Sequence, residues 1–175
     1  MYQIDEIDNN IVNLLMKDGR MSAAEIARQI GNISERAVRY RVDRMIAEGL
    51  FKVSAIINPK AVGYSVIADV FIEVESGLIF DVAERLTEYD CVSYVACSIG
   101  ERDISVQVVA HSTDEVYAFV TEVIGKVPGV RKTTTSIVPR VLKDVYEWHI
   151  PKSNCVDPQG STPPLKSRQI KLLSK

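Results

Sequence analysis

The spacing of apolar residues changes period once along this chain, near residue 64, and that change bounds what the chain can fold into. Before it, apolar side chains recur at three and four residues; after it, stretches of strict alternation trade places with further three-and-four stretches. Three-and-four spacing places one stripe of a helix in a core, and alternation places one face of a strand there. The sequence therefore predicts an all-helical front joined to a mixed helix and strand region.

In the front, Ile4, Ile7, Ile11, Leu14 and Leu15 predict a first helix that Asp18-Gly19 stops. Ser22 is placed to cap a second, with Glu25 at the capping-box position; Ala23, Ile26, Ala27 and Ile30 form its inward stripe, and Gly31-Asn32 ends it. Ser34 is placed to cap a third helix, with Val38, Val42, Met45 and Ile46 inward and Gly49 as its breaker. FKVSAIINP then has the propensity of a strand, wing or hinge. Together these predict a winged helix-turn-helix unit over residues 1–50 and a strand or hinge linker over 51–64. Some sixty residues bury too little surface to be comfortably stable alone, so this unit is expected to lean on a partner chain.

Beyond Ser65 the order is strand (IADVFIEVE), helix (IFDVAERLTEY), two strands (VSYVACSIG and DISVQVVAH), helix (TDEVYAFVTEVIGKV) and strand (VRKTTTSIVPRVL). This βαββαβ order predicts a ferredoxin-like fold over residues 65–150, with two helices on one face of an antiparallel sheet. The other face needs a cover, and a second copy is the simplest one. The fold class is thus α+β. Residues 151–175, rich in Pro, Ser, Lys and Arg, read as a solvated tail; a basic arm is the alternative, and Ile170, Leu172 and Leu173 could dock.

The net charge is only −2, but it is unevenly spread. Residues 61–150 carry seven bases against fourteen acids, whereas residues 31–60 carry six bases against three acids. Four of those bases lie on the third helix. At about 100° per residue, Arg36, Tyr40 and Arg44 stack on the side opposite Val38, Val42, Met45 and Ile46, with Arg39 and Arg41 on the shoulders. A solvated helix face would look the same, but the helix-turn-helix pattern supplies an independent reason for exposure. The second helix of such a pair lies in the major groove with its N-terminal residues at base edges. Ser34, Glu35, Arg36, Arg39 and Tyr40 are then the candidates for base contact, Arg41, Arg44 and Lys52 for phosphate contact, and Ser22 for a hydroxyl bond to phosphate.

Other chemistry finds little support. Cys91, Cys97 and Cys155 are odd in number and scattered, and His111 and His149 are the only histidines, so neither a disulfide, a metal site nor a cofactor is expected. Cys97 reads as a small strand residue, and Tyr94 and Trp148 as packing residues. No apolar run approaches the roughly 20 residues a bilayer requires, and Asp5, Glu6 and Asp8 stand where a secretory signal carries bases, which points to the cytoplasm and away from membranes. No phosphate-binding loop, dinucleotide fingerprint, nucleophile elbow or zinc-protease motif is present.

The texts IDEIDNNIVNLLMKDGRMSAAEIARQIG and RYRVDRMIAEGLFKVSAIINPKAVGY, followed by SIGERDISVQVVA and KVPGVRKTTTSIV, resemble the Lrp/AsnC or feast/famine transcriptional regulators from residue 2 to about 147. The second pair is similar to that family's RAM (regulation of amino-acid metabolism) domain. The resemblance implies double-stranded DNA with pseudo-palindromic promoter sites as partner. It also implies homodimers assembling into tetramers or octamers, and a small-molecule effector, commonly an amino acid, held between RAM subunits. Matching the family's effector motif are Gly100, Arg102 and Asp103 of the loop SIGERD, and Thr133 and Thr135 of the last strand. Glycine lets backbone amides approach a carboxylate, aspartate pairs an ammonium, and threonines offer hydroxyls. A tight hairpin would favour the same Gly and Asp for its own sake. Two departures stand out: the turn at Gly31-Asn32-Ile33 is one residue longer than usual, and nothing beyond Trp148 has a counterpart. The rival readings are an architectural DNA-binding protein without effector and an enzyme related to sirohaem decarboxylases, for which only His111 and His149 are on offer.

Overall fold

The computed structural model describes residues 2–151 and 154–156, which divide into two compact units. One comprises residues up to Ala55 and those from Lys143 on; the other is Ile56–Leu142. The division differs from a simple front, linker, sheet and tail, because the chain crosses between units twice.

In the helical unit, α1 (Glu6–Lys17), α2 (Ala23–Ile30) and α3 (Glu35–Ala47) follow the expected stripes. Each begins at a polar cap that satisfies a free amide. Asp5 caps α1 reciprocally with Asp8: its carboxylate accepts the Asp8 N–H at 2.8 Å, and the Asp8 carboxylate accepts the Asp5 N–H at 3.3 Å. Ser22 Oγ accepts the Glu25 N–H and Ser34 Oγ the Ala37 N–H, both at 3.2 Å. Glu25 does not complete the box; its carboxylate takes Arg28 and Gln29 instead. Between α2 and α3, Gly31 and Asn32 both have positive φ, which is how the longer turn reverses direction. Ile11, Ile26, Val38 and Met45 are fully buried at the centre. Ile46, expected inward, is exposed, since it lies one residue beyond the Val38-Val42-Met45 stripe.

Residues 51–58, expected as a strand or wing, form no ladder. Strand propensity needs a neighbouring strand to bond with, and the described residues of this chain supply none there. Residues 143–150, expected within the sheet domain, and the described residues 154–156 of the expected tail belong instead to the helical unit. Asp144 caps a short turn at Val145–Glu147, and Ile150 packs against the helical core. His149 Nδ1 lies 2.9 Å from Asn13 Oδ1, and the Val156 N–H donates to the Ile4 carbonyl at 2.8 Å. Cys155 is buried beside Asn9, a polar residue of α1 that is itself only 2 % exposed. Burial pushes the Cys155 thiol up, with the acids Glu6, Asp5 and Asp8 acting in the same sense against the Asn9 hydrogen bond. Ile170, Leu172 and Leu173 lie outside the described residues.

In the sheet unit, β1 (Val66–Val74), β2 (Val92–Cys97), β3 (Ile104–Ala110) and β4 (Val130–Ile137) form one antiparallel sheet in the order β2-β3-β1-β4. Helix α4 (Ile79–Leu86) joins β1 to β2, and α5 (Thr113–Ala118) joins β3 to β4, running on through a π turn at 119–123 and a 3-10 turn at 124–126. Alternation fixes which face is buried. Ala68, Val70, Ile72, Val74, Ile104, Val106, Val108 and Ala110 point to the helices, where Val82, Leu86, Val116 and Ile124 meet them. On the other face, Ile67, Asp69, Phe71 and Glu73 of β1 stand beside Val109, Gln107 and Ser105 of β3 by register. Tyr94 of β2 is on that open face and half exposed, and Trp148 is likewise exposed, so neither is a core packing residue. Cys97, at the edge of the sheet, is exposed, and all three cysteines are free thiols. No helix among the described residues is long and apolar enough to cross a membrane.

Candidate nucleic-acid interface and effector site

The first candidate site is the outer side of α3. Burial of Val38 and Met45 turns Arg36, Tyr40 and Arg44 outward, and Tyr40 is 65 % exposed. The Arg44 guanidinium lies over the Tyr2 ring, 5.0 Å from its centroid. Arg36 and Lys52 are exposed and make no hydrogen bond or ion pair among the described residues. Arg39 is exposed but held by Glu35 one turn earlier, through both its Nε, at 3.1 Å, and a terminal nitrogen. Because Ser22 and Ser34 use their hydroxyl oxygens as cap acceptors, each keeps its proton to donate.

Arg41 is the correction. Expected at phosphates, it turns instead into its own unit, where one terminal nitrogen donates to Asp5 at 2.7 Å and Asp8 at 2.6 Å. Asp8 is only 2 % exposed and also accepts the Tyr2 hydroxyl at 3.0 Å. Burial alone would lower Arg41 and raise Asp5. The hydrogen bonds to the two acids more than offset this for Arg41, which stays above its ordinary value; the Asp8 amide and Arg41 hold Asp5 below the usual carboxylate range. For Tyr2, burial and the bond to Asp8 push the phenol up. The acids that close the start of α1 thus consume one of the four arginines. Sequence periodicity gave no sign of this, though two acids opening a helix are a place to look for a distant base.

The second candidate site is at one end of the sheet. The loop between β2 and β3 brings Gly100, Arg102 and Asp103 together, with Gly100 at φ 144°. The Asp103 carbonyl closes the hairpin by accepting from Ser98 at 2.7 Å, and its N–H ties the loop to β1 by donating to Ile72 at 3.0 Å. Its carboxylate accepts the Val74 N–H at 2.7 Å, next to the bulge where β1 shifts register against β4. One Asp103 oxygen is therefore committed to the fold. Arg102 covers the Phe71 ring at 4.3 Å on the open face. Thr133 and Thr135 lie opposite Ile72 and Val70, so both hydroxyls fall on one strand face as expected. They stand on the other side of β1 from the loop, about 10 Å away across two inter-strand spacings, and no hydrogen bond joins them to it among the described residues.

Comparison with known proteins places both regions. Residues 4–46 match the AsnC-type helix-turn-helix domain, and residues 67–148 match the Lrp/AsnC ligand binding domain. The chain belongs to the Lrp/AsnC family. An uncharacterised HTH-type transcriptional regulator of Pyrococcus abyssi is 41% identical over 145 residues, 82% of this chain and 91% of that protein. Among solved structures, Escherichia coli AsnC superposes with a TM-score of 0.75 at 26% identity, covering 83% of this chain and 99% of AsnC. A Neisseria meningitidis transcriptional regulator, solved as a complex with L-methionine, shares the fold with a TM-score of 0.75 at 19% identity, covering 81% of this chain and 94% of that one. As an Lrp/AsnC-type transcriptional regulator, the chain has one DNA-binding and one ligand-binding domain, and the helix-turn-helix implies DNA as partner.

Proposed function

We propose that this regulator reads duplex DNA with α3 and that a small molecule, an amino acid in the first instance, modulates it at interfaces between its sheet units. It acts by binding, without enzymatic chemistry. The observation that carries the reading is the outward ridge of Arg36, Arg39, Tyr40 and Arg44 on a helix whose opposite side buries Val38 and Met45. Arg36 is the residue best placed to grip a base, because it lies in the first turn of α3 and nothing else holds it. Arg39 reaches a base only by leaving Glu35. Arg44, Lys52 and Ser22 complete the contact at phosphates, with Ser34 nearer the base edges. Residues 51–58 are free to pair with the same segment of a second copy, and the open sheet face supplies a surface for that copy.

For the effector, support comes from the loop Gly100 to Asp103 at one end of the sheet, with Thr133 level with it across β1 and Thr135 two residues further along β4, and from the L-methionine complex of the Neisseria relative. A second subunit bringing its own groups would close the gap between loop and strand. Fluorescence anisotropy with promoter DNA tests the reading. Arg36→Ala should weaken specific binding by about 1–3 kcal/mol, and log affinity should fall linearly with log salt concentration. Equal affinity of Arg36→Ala and the parent for the same DNA would remove α3 as the reader.

A further inference from the structure

A cavity of about 400 Å³ opens beside Ala110 and His111, where β3 ends. The SIGERD loop meets β3 at its start, seven strand residues away, about 20 Å at the usual rise. The two places are separate. Val108 and Ala110 form the cavity floor under the π turn of the last helix, and Tyr64, Tyr89 and Phe119 form its walls. Tyr89 and Phe119 meet edge to face with centroids 5.2 Å apart, and Tyr64 stacks on the His111 ring at 4.3 Å.

The polar groups of this cavity share one character. His111 Nδ1 is 2.9 Å from the Gly63 carbonyl. A carbonyl only accepts, so Nδ1 donates its proton there. Glu115 accepts the His111 N–H at 2.8 Å. The Asp90 carboxylate makes no hydrogen bond or ion pair among the described residues. Burial pushes the Cys91 thiol up, and Asp90 and Glu115 push it the same way, so the fields of both carboxylates reach the cavity wall. No lysine or arginine lines the cavity. Apolar and aromatic walls with two acids and no lysine or arginine favour a cation with a hydrophobic body. A ligand carboxylate would meet only like charges.

We propose that this cavity binds a small molecule carrying a protonated amine on an apolar or aromatic body and no carboxylate. The ammonium group sits against Asp90 and Glu115 and the body between Tyr64, Tyr89 and Phe119. The site is chemically distinct from one for amino acids and does not depend on the effector reading above.

Site-resolved NMR titration of the full chain tests it with phenethylamine as probe and phenylalanine as its carboxylated counterpart. Phenethylamine should shift the amide resonances of Asp90, Cys91 and His111 and leave residues 98–103 still. Phenylalanine should shift the first group at least about tenfold more weakly, the weight of one charged contact. Asp90→Asn, at an exposed position without hydrogen bonds, should weaken phenethylamine by about tenfold with an unchanged circular dichroism spectrum. The proposal is overturned by no shift at millimolar phenethylamine, by equal affinity for the two probes at this site, or by an Asp90→Asn chain that binds as the parent does. An amino acid acting at the SIGERD loop would move residues 98–103 instead, so the two readings fail separately.

Discussion

Arg41 shows how a side chain chosen for one role can be claimed by another. Its guanidinium holds the buried Asp8 carboxylate and the Asp5 cap, so Arg41→Ala should leave Asp8 short of a partner. That costs about 1–3 kcal/mol, read as a lower midpoint in urea denaturation, while DNA affinity of the folded fraction is unchanged. Asp5 gives a pH dependence whose sign follows from its lowered pKa. The stabilisation it brings is present above the ordinary aspartate range and is lost as pH falls through its folded value. Asp5→Asn should therefore flatten the acid limb of a melting-temperature profile. At Gly129, φ is 93°, and an added Cβ would sit 2.8 Å from Leu78 Cδ1. Gly129→Ala should accordingly destabilise by about 1–3 kcal/mol, read by thermal unfolding. None of these three pairings was legible in the sequence, because each joins residues that no helical or strand period relates.

The helices and strands themselves were legible, since each has a period, a cap or breaker and a buried stripe that agree. α3 was readable to its cap at Ser34, and β1 and β3 to their faces. The segments that failed are those whose structure depends on something distant. FKVSAIINP has strand propensity without a strand to meet. Residues 151–175 have the composition of a tail, yet among the described ones Cys155 is buried and Val156 bonds to Ile4. Ending the chain after Trp148 should lower the melting temperature, because Asn9 loses Cys155 and Asn13 loses His149; an unchanged melting curve would show that segment to be dispensable. On α3, the Glu35–Arg39 pair is exposed and worth about 0.5 kcal/mol or less. Glu35→Ala should leave stability nearly unchanged while raising affinity for non-specific duplex at low salt, measured by anisotropy.

At the level of the whole molecule, the sheet presents one face to its helices and the other to whatever covers it. Phe71 under Arg102, with Ile67, Val109 and Tyr94 further along the same face, makes that face partly apolar. If a second copy covers it, Phe71→Glu should shift sedimentation towards monomer while leaving the circular dichroism of the sheet intact; an unchanged oligomer would place the contact elsewhere. The fold and family followed from period and motif, but the cavity beside His111 did not, because its walls come from four separated stretches of chain. The return of residues beyond Lys143 to the helical unit has one more consequence, for biogenesis. The DNA-reading portion leaves the ribosome first but lacks the piece that covers Asn9 until the entire sheet unit has been translated. Nascent chains would therefore complete the ligand-binding half before the half that reads the genome.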